Sequence, residues 1–351
     1  MNGTGAQRGE GPGTGGPGPP TVRRMGPVRI GVLGAARIAP AAVVRPARNL
    51  GEAEVVAVAA RDRSRADAFA SKHGIPDVHD SYAALLDDPA IDAIYNPLPN
   101  GLHAEWTIAA LEAGKHVLCE KPFTANAKEA EDVAAVATRT GLVVMEAFHY
   151  RYHPLAARMR EIVEGGELGT IQRVETALCF PLPRFSDIRY QYALAGGATM
   201  DVGTYTVHMA RLLGGEEPQV VSAEAKLRTP DVDRAMRAEL AFPSGHTARI
   251  TCSMWSRRVL QASARVLGDR GELRVVNPTA PQLWHRMRVK SDGAARTERF
   301  SRRPTYEYQL EAFCGAVLRG EPTLTPPADS IANMRVLDAI YVAAGMTPRG
   351  T

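Results

Sequence analysis

Cysteine is scarce in this sequence, and the few cysteines stand far apart. The 351 residues include Cys119, Cys179, Cys252 and Cys314, without a Cys-x-x-Cys pair. This spacing argues against a disulfide framework and against a zinc ribbon, and it favours reduced thiols in the cytoplasm. Long apolar runs are also missing, since none approaches the ~18 residues that a membrane-spanning helix needs. We therefore expect a cytoplasmic protein without a membrane segment.

Clustered charge is a third absence. The formal net charge of +4 is small for this length, and the arginines are spread along the chain instead of forming a run. Nothing in this pattern points to nucleic acid as a partner. The 45% of hydrophobic and 23% of charged residues are typical of a globular protein. The length allows two domains.

Residues 1–26 predict a disordered tail, because they are rich in glycine and proline and almost free of apolar side chains. The pair Arg23-Arg24 raises the alternative of a twin-arginine export signal. The apolar stretch that follows is short and contains Arg29, so it makes a better first strand than a signal segment.

Residues 27–149 alternate between short β-branched runs and longer alanine-rich segments. Apolar runs of this length, separated by helical patterns, are typical of a parallel sheet covered on both faces. The sequence therefore predicts a doubly wound α/β domain of the Rossmann type. Its strands are predicted at 28–34, 53–60, 91–96, 116–120 and 142–147, and its helices at 38–50, 64–74, 103–114 and 124–140.

Residues 150–351 consist mainly of strand-like segments separated by turns such as Pro243-Ser244-Gly245, which predicts a hairpin. The exceptions are a helix that begins near Asp201 and two helical stretches at 306–319 and 328–344. This pattern predicts an α+β domain with a large, mostly antiparallel sheet and helices on one face. The last helix could pack back on the first domain.

The turn after the first predicted strand resembles a dinucleotide-binding loop. In the fingerprint G-x-G-x-x-G/A, Gly34 takes the first position, whereas Ala36 and Ala39 replace the second and third glycines. Ala36 weakens the match, and an ordinary tight turn is the alternative. Because the turn opens the first βαβ unit, where free N–H groups attract anions, we predict that Gly34, Ala36, Arg37 and Ile38 bind the cofactor.

The end of the second predicted strand favours NADP over NAD. The residue at this point contacts the adenine ribose, and here Arg61 follows the strand directly. A guanidinium group suits a 2′-phosphate by its charge and its bidentate geometry. Asp62 would serve NAD instead if the strand ended one residue later.

The loop that follows the predicted strand at 91–96, Pro97 to His103, is predicted to pass over the cofactor. Pro97, Leu98, Asn100 and His103 are the candidate contacts. The alternative for Asn100 is that it caps the following helix.

The segment Glu120-Lys121-Pro122 ends an apolar strand on a charged pair. Parallel sheets bind ligands at the carboxyl ends of their strands, and Pro122 restricts the backbone of Lys121. Asp201, Tyr205 and His208 have helical spacing on one face of an otherwise apolar helix. Three such groups on one stripe indicate a site, although a hydrogen-bonded core histidine is the favoured interpretation of His208.

Several motifs resemble the glucose–fructose oxidoreductase, inositol dehydrogenase and MocA-like oxidoreductases. They are GVLGAARIA, PLPNGLH, CEKPF, MEAFHYR and DIRY…AGGATMDVGTY, and they occur in the expected order between Val28 and the C-terminus. Tyrosine at 205, where many members carry histidine, is similar to the branch that holds glucose–fructose oxidoreductase and dimeric dihydrodiol dehydrogenase.

The resemblance implies an enzyme that moves hydride between NAD(P) and a CH–OH or C=O group of a sugar, cyclic polyol or related compound. Lys121 and Tyr205 would flank the reacting oxygen, Asp201 would orient them, and Glu120 would lie beside the cofactor. It also implies a cis Lys121–Pro122 bond, and homodimers or homotetramers built through the C-terminal sheet. A lysine ~4 Å from a phenol would favour phenolate by up to ~4 kcal/mol, whereas burial acts in the opposite direction.

The substrate side is predicted to contain Arg151, Asp187, Arg189 and Tyr205. His149 and His153 have the spacing of a metal pair, but Pro154 argues against a shared helix, and we predict no metal. Two other functions remain open: an NAD-dependent glycosidase, and a non-catalytic dinucleotide sensor. The combination of Lys121, Asp201 and Tyr205 favours the oxidoreductase.

Overall fold

The structure is a computed structural model that describes residues 26–255 and 260–350, together with Met1. The predicted tail, apart from its two end residues, lies outside the described residues. So does the Arg23-Arg24 pair, the basis of the alternative export signal.

The first domain contains a parallel sheet. Within residues 28–146 its strands are β1 Val28–Leu33, β2 Ala53–Ala59, β3 Asp77–His79, β4 Ala93–Asn96, β5 His116–Cys119 and β6 Val144–Glu146. They are hydrogen-bonded in parallel in the order β3-β2-β1-β4-β5-β6. This arrangement confirms the predicted doubly wound fold. The three-residue β3 is too short for its pattern to be recognised in the sequence.

Helices connect these strands: α1 Arg45–Leu50, α2 Arg63–His73, α3 Tyr82–Leu86, α4 His103–Glu112 and α5 Ala127–Thr140. A π-helical turn at Pro40–Val44 precedes α1. The side chains of Asp62, Ser81 and Asn126 accept backbone N–H groups of α2, α3 and α5. These caps explain where the three helices begin.

A second sheet fills the C-terminal half. Its strands, among the residues described, are β7 Ile171–Cys179, β8 Gln219–Thr229, β9 Val232–Ala241, β10 Thr247–Ser253, β11 Gln261–Gly268, β12 Gly271–Val276, β13 Arg286–Ser291 and β14 Ala294–Glu298. Their order is β14-β13-β12-β11-β7-β10-β9-β8, and only β7 and β10 pair in parallel. The predicted mostly antiparallel sheet is confirmed, as is the hairpin from β9 to β10.

The remaining α-helices among the described residues follow β6 in the chain. They are α6 Pro154–Glu164, α7 Thr204–Gly214, α8 Thr305–Arg319 and α9 Pro327–Ala343. α7 lies on one face of the second sheet, where the Thr176 hydroxyl donates to the Thr206 carbonyl at 2.8 Å. Leu310 and Phe313 of α8 join the core of the first sheet. α9 lies along α5. None of the helices in the described ranges is long and apolar enough to cross a membrane.

Candidate active site

The carboxyl ends of β1 and β4 lie side by side and carry two predicted cofactor-binding segments. Gly34 follows β1 with a φ of 86°, a left-handed conformation that glycine adopts without strain. A Cβ atom at Gly34 would lie 3.3 Å from Leu98, which follows β4. The Ala36 N–H donates to the Gly34 carbonyl at 2.9 Å. In the described part of the chain, the N–H groups of Arg37 and Ile38 have no partner and are therefore free to bind an anion.

Arg61 lies two residues beyond the end of β2, which stops at Ala59, one residue before the predicted end, and it has an exposed side chain and no ion-pair partner within the described residues. Asp62, by contrast, caps α2. Its carboxylate accepts hydrogen bonds from the Ser64 hydroxyl at 2.7 Å and the Arg65 N–H at 3.3 Å, and these bonds lower its pKa. The free cation at this position is thus Arg61, and the carboxylate next to it is engaged in a helix cap.

The loop at 97–103 contacts the second domain through a hydrogen bond. Asn100 donates from Nδ2 to the Ala195 carbonyl at 3.0 Å, and α4 has no side-chain cap, so the alternative of Asn100 as a capping residue is wrong. His103 is buried, and its ring nitrogens lie 2.7 Å from the carbonyl oxygens of Leu98 and Pro122. His103 therefore fixes the loop against the segment that contains Lys121.

Glu120 and its neighbours fix the backbone from which Lys121 projects. The Tyr95 hydroxyl donates to Glu120 Oε1 at 2.7 Å, and the Lys121 N–H donates to Oε2 at 3.3 Å. Burial raises the pKa of Glu120, while the positive charge of Lys121 opposes that rise. The Lys121–Pro122 bond is cis, as the family resemblance implies.

The Lys121 ammonium group contacts two residues of the second domain. Its Nζ lies 3.0 Å from the Asp201 carbonyl oxygen, 3.4 Å from Asp201 Oδ1 and 5.0 Å from the centre of the Tyr205 ring. The side chains of Lys121 and Asp201 are each 16% exposed, so their attraction is only partly screened by water. The structure thus brings Lys121, Asp201 and Tyr205 together.

The segment before Tyr205 departs from the predicted regular α-helix. Thr199–Gly203 form a π-helical turn, and α7 begins after it. Asp233 on β9 is fully buried and accepts hydrogen bonds from the N–H and the hydroxyl of Thr199, both at 2.7 Å. Arg349 pairs with the other oxygen of Asp233 at 3.1 Å. No sequence pattern reveals this pair, because its members are 116 residues apart.

His208 does not share the Lys121 site. Its Nδ1 lies 2.6 Å from the Tyr150 hydroxyl, and its Nε2 lies 3.0 Å from Asp329. The ring also stacks on Phe148. The prediction that His208 shares a site with Asp201 and Tyr205 is therefore wrong. His208 is a hydrogen-bonded core histidine, as the favoured interpretation has it.

Tyr205 is 8% exposed, and this burial controls its acidity. Burial raises the pKa of Tyr205 well above 10, and the nearby groups of Tyr306 and Glu120 act in the same direction. Burial therefore outweighs the lowering expected from Lys121, and the phenol is protonated at neutral pH. Its hydroxyl lies 3.2 Å from Nε2 of His149, a residue that the sequence suggested only as a metal ligand.

His149 and His153 have separate environments. His149 Nδ1 lies 2.8 Å from the Thr305 hydroxyl. His153 accepts the Leu155 N–H at 3.1 Å at the start of α6, and its Nε2 lies 3.0 Å from the Ser301 carbonyl oxygen. Since α6 begins at residue 154, the two histidines do not share a helix.

The predicted substrate residues divide into two groups. Asp187 and Arg189 lie near the Lys121 cluster, because Arg189 Nε is 3.7 Å from Asp187 and 3.6 Å from Asp201. Arg151 lines a different cavity of about 380 Å³, together with His208 and Asp329. Tyr205 is the predicted residue that belongs to both the catalytic and the substrate sets.

Two family models match this chain. Residues 28–148 match the model of an oxidoreductase family with an NAD-binding Rossmann fold, and residues 156–274 match the GFO/IDH/MocA C-terminal domain. The chain belongs to the GFO/IDH/MocA oxidoreductase family. The resemblance predicted from the motifs is therefore confirmed, and with it an NAD(P)-dependent oxidoreductase.

Individual relatives agree with this assignment. The chain is 40% identical to D-xylose 1-dehydrogenase (NADP(+)) 2 of Haloferax volcanii over 90% of this chain and 97% of that protein. It is 34% identical to mouse trans-1,2-dihydrobenzene-1,2-diol dehydrogenase over 66% of this chain and 68% of that protein. Among solved structures, KijD10, a 3-ketoreductase from Actinomadura kijaniata in complex with NADP and TDP-benzene, superposes with a TM-score of 0.84 at 31% identity, covering 90% of this chain and 98% of that chain.

Proposed function

We propose that this GFO/IDH/MocA oxidoreductase uses NADP in preference to NAD and interconverts a CH–OH and a C=O group of a sugar or cyclic polyol, with Lys121 and Tyr205 as its acid/base pair. The observation that carries the proposal is the position of the Lys121 ammonium group. It lies 5.0 Å from the Tyr205 ring at the carboxyl edge of the parallel sheet.

The residues at this edge fit a dinucleotide. The N–H groups of Arg37 and Ile38, which have no partner among the described residues, suit its pyrophosphate, and Arg61, without an ion-pair partner in the same ranges, suits a 2′-phosphate. Leu98 and Glu120 border the same edge beyond β4 and β5. When bound, the nicotinamide would supply or accept the hydride.

Tyr205 would exchange the proton and Lys121 would stabilise the charge. Reduction of a carbonyl builds negative charge on its oxygen, which requires a proton donor and a nearby cation. The high pKa of Tyr205, caused by its burial, keeps the donor protonated. Asp201 holds Lys121 in position through its carbonyl and carboxylate oxygens.

The relatives support a substrate with hydroxyl groups. The Haloferax volcanii protein is named for D-xylose and the mouse protein for a cyclic diol. Asp187 and Arg189 offer an acceptor and donors beside Asp201, as such a substrate requires. Solved variants of KijD10 replace one lysine by alanine and one tyrosine by phenylalanine. Those two residues are as far apart along that chain as Lys121 and Tyr205 are along this one.

The assembly and compartment belong to the same proposal. α7 covers one face of the second sheet, and exposed Leu283 and Trp284 lie beside the other face. We infer that two chains pair there. All four cysteines are buried and outside any disulfide, which suits a reducing cytoplasm.

Dinucleotide binding tests the cofactor half. We expect NADP to bind at least about tenfold more tightly than NAD, and Arg61→Ala to remove that preference, because a charge-assisted phosphate contact contributes about 1.5–3 kcal/mol. Arg65→Ala, a neighbouring exposed arginine, is the matched control. Equal binding of both dinucleotides to the wild type would contradict the preference for NADP.

Turnover tests the acid/base half. D-xylose, other aldoses and cyclic polyols are supplied with NADP⁺, and Lys121→Met and Tyr205→Phe are each expected to lower kcat by about 10²–10⁴, the usual contribution of a positioned acid or base. Lys128→Met and Tyr308→Phe change the same residue types elsewhere and should retain activity. Dinucleotide binding must persist in all four variants for the loss to concern chemistry. Unchanged kcat in Tyr205→Phe would exclude Tyr205 as the proton donor.

A further inference from the structure

The hydroxyl of Tyr205 has one polar partner among the residues that the structure describes, Nε2 of His149 at 3.2 Å. His149 opens the short 3-10 turn His149–Tyr152 that follows β6, so it reaches Tyr205 from the first domain. The two rings meet edge to face with their centres 5.9 Å apart. A buried phenol and a buried imidazole are thus connected directly beside Lys121.

The imidazole of His149 is held on its other side as well. Nδ1 lies 2.8 Å from the hydroxyl of Thr305, the first residue of α8, and Thr305 is fully buried. The ring of Tyr306 packs 4.2 Å from the imidazole centre. Rotation of His149 would break both hydrogen bonds, so Nε2 stays directed at the phenol.

Only one nitrogen of this ring carries a proton. Burial lowers the pKa of His149 to about 3, and the charge of Lys121 acts in the same direction, so the imidazole is neutral. Both neighbours are hydroxyl groups, which can donate or accept. In one arrangement Tyr205 donates to Nε2 and Nδ1–H donates to Thr305. In the other, Thr305 donates to Nδ1 and Nε2–H donates to the phenolic oxygen.

We propose that His149 is a positioning residue that holds its Nε2–H against the phenolic oxygen of Tyr205 whenever that oxygen carries negative charge. As hydride reduces a substrate carbonyl, the O–H bond of Tyr205 breaks and its proton moves to the carbonyl oxygen. The imidazole is already in the second arrangement at that moment, with the Thr305 hydroxyl donating to Nδ1, so the phenolate that remains accepts the Nε2–H without a change of tautomer. In oxidation the same phenolate takes the proton of the substrate hydroxyl. The inference rests on the proposed function.

The experiment compares His149→Met with His149→Gln, whose amide can still donate, in the D-xylose and NADP⁺ assay or with the sugar that turns over best there. His149→Met should lower kcat at pH 7 by about 10- to 100-fold, because a hydrogen bond to a charged group is lost. The ascending limb of the kcat profile, along which Tyr205 must lose its proton to act as the base of the oxidation, should move to higher pH by about one unit. His149→Gln should recover at least about a tenth of the wild-type kcat and much of the profile.

A double-mutant cycle separates this role from a structural one. In the Tyr205→Phe background, His149→Met should cause no further loss of residual activity, since the phenolic oxygen is absent. Thr305→Val should shift the pH profile in the same direction as His149→Met, by a smaller amount. A second readout does not depend on activity: in ¹⁵N-histidine spectra of the full chain, the His149 Nε2 resonance should move in Tyr205→Phe.

Several results would overturn the inference. One is an equal loss from His149→Met in both backgrounds, which would indicate a structural effect. Another is an unshifted pH profile in Thr305→Val, which decides the matter even if His149→Met does not fold. If the wild type turns over normally and either of these results is found, the role of His149 is excluded while the proposed function stands. Absence of dinucleotide binding to the wild type would remove the proposed function and this inference with it.

Discussion

At the scale of single residues, Glu146 controls how stability should depend on pH. It ends β6, is 1% exposed, and burial raises its pKa from 4.5 to about 8, with the Ser330 side chain opposing part of the rise. Between these two values the folded protein holds a proton that the unfolded chain has released. Because the folded state then binds more protons, the free energy of unfolding falls as pH rises through this window.

The variant Glu146→Gln should remove this pH dependence. It keeps the shape of the side chain without the group that must lose its proton, so its free energy of unfolding should exceed that of the wild type by ~1–3 kcal/mol at pH 8 and by little at pH 5. Urea unfolding at several pH values measures how the free energy of unfolding of each protein depends on pH. Glu112→Gln, which replaces an exposed carboxyl group on α4, should change neither the free energy of unfolding nor its pH dependence. Parallel slopes for Glu146→Gln and the wild type would contradict the prediction.

The same scale shows what sequence can predict about the site. Lys121, Asp201 and Tyr205 could be predicted because each stands at a recognisable point, a strand end or a polar position on an apolar helix. His149 could not, since its partners Tyr205 and Thr305 lie 56 and 156 residues away. The side chain of Arg151 is of a type suited to a substrate contact, but the direction in which it points depends on the 3-10 turn that contains it.

At the scale of elements, the π-helical turn at Thr199–Gly203 depends on a buried ion pair. Arg349 and Asp233 are 1% and 0% exposed in their side chains, and Arg349 also donates to the Gly196 carbonyl at 2.8 Å. The guanidinium group packs 4.1 Å from the centre of the Tyr341 ring. The C-terminal segment thus holds the turn that carries Asp201.

Arg349→Met should therefore destabilise the protein by about 3–5 kcal/mol, because it leaves the Asp233 carboxylate buried and unpaired. Adding Asp233→Asn removes that charge and should restore part of the loss. Arg335→Met breaks an exposed pair with Glu131 and should cost at most about 1 kcal/mol. Thermal and urea unfolding measure all three. An equal, small effect of Arg349→Met and Arg335→Met would show that the buried pair does not hold the turn.

Most elements follow from periodicity, and the exceptions have physical causes. Helices α8 and α9 begin within one residue of the predictions. β13 alternates buried and exposed residues but has only two apolar side chains, Met287 and Val289, and β14 is almost wholly exposed and lacks the alternation, so neither has the apolar content of an internal strand. The π-helical turn before α7 has helical composition, and its extra residue is imposed by Asp233 from another strand.

At the scale of the whole molecule, the two faces of the second sheet have different environments. α7 covers one face. The other face carries charged side chains of β7, β10 and β11, including Glu175 and Arg265, beside a hollow of about 1000 Å³. At the rim of the hollow, Leu283 and Trp284 are 68% and 49% exposed. Large apolar side chains beside an open sheet face favour an interface with a second copy.

The double variant Leu283→Glu with Trp284→Glu should weaken that dimer roughly tenfold or more, because interfaces depend on a few buried aromatic and apolar side chains. Sedimentation across a range of concentrations measures the effect. Leu324→Glu changes an exposed leucine distant in sequence from the sheet and serves as the control. A wild type that is monomeric at every concentration would exclude the interface.

Activity of the dissociated variant then tests whether one chain contains the whole site. Lys121, Asp201, Tyr205 and His149 come from the first domain and from the helical face of the second sheet within a single chain. We therefore expect the monomeric variant to keep kcat within a few-fold of the wild type. If dissociation removed activity while dinucleotide binding persisted, the partner chain would have to support the substrate side, where Asp187 and Arg189 lie.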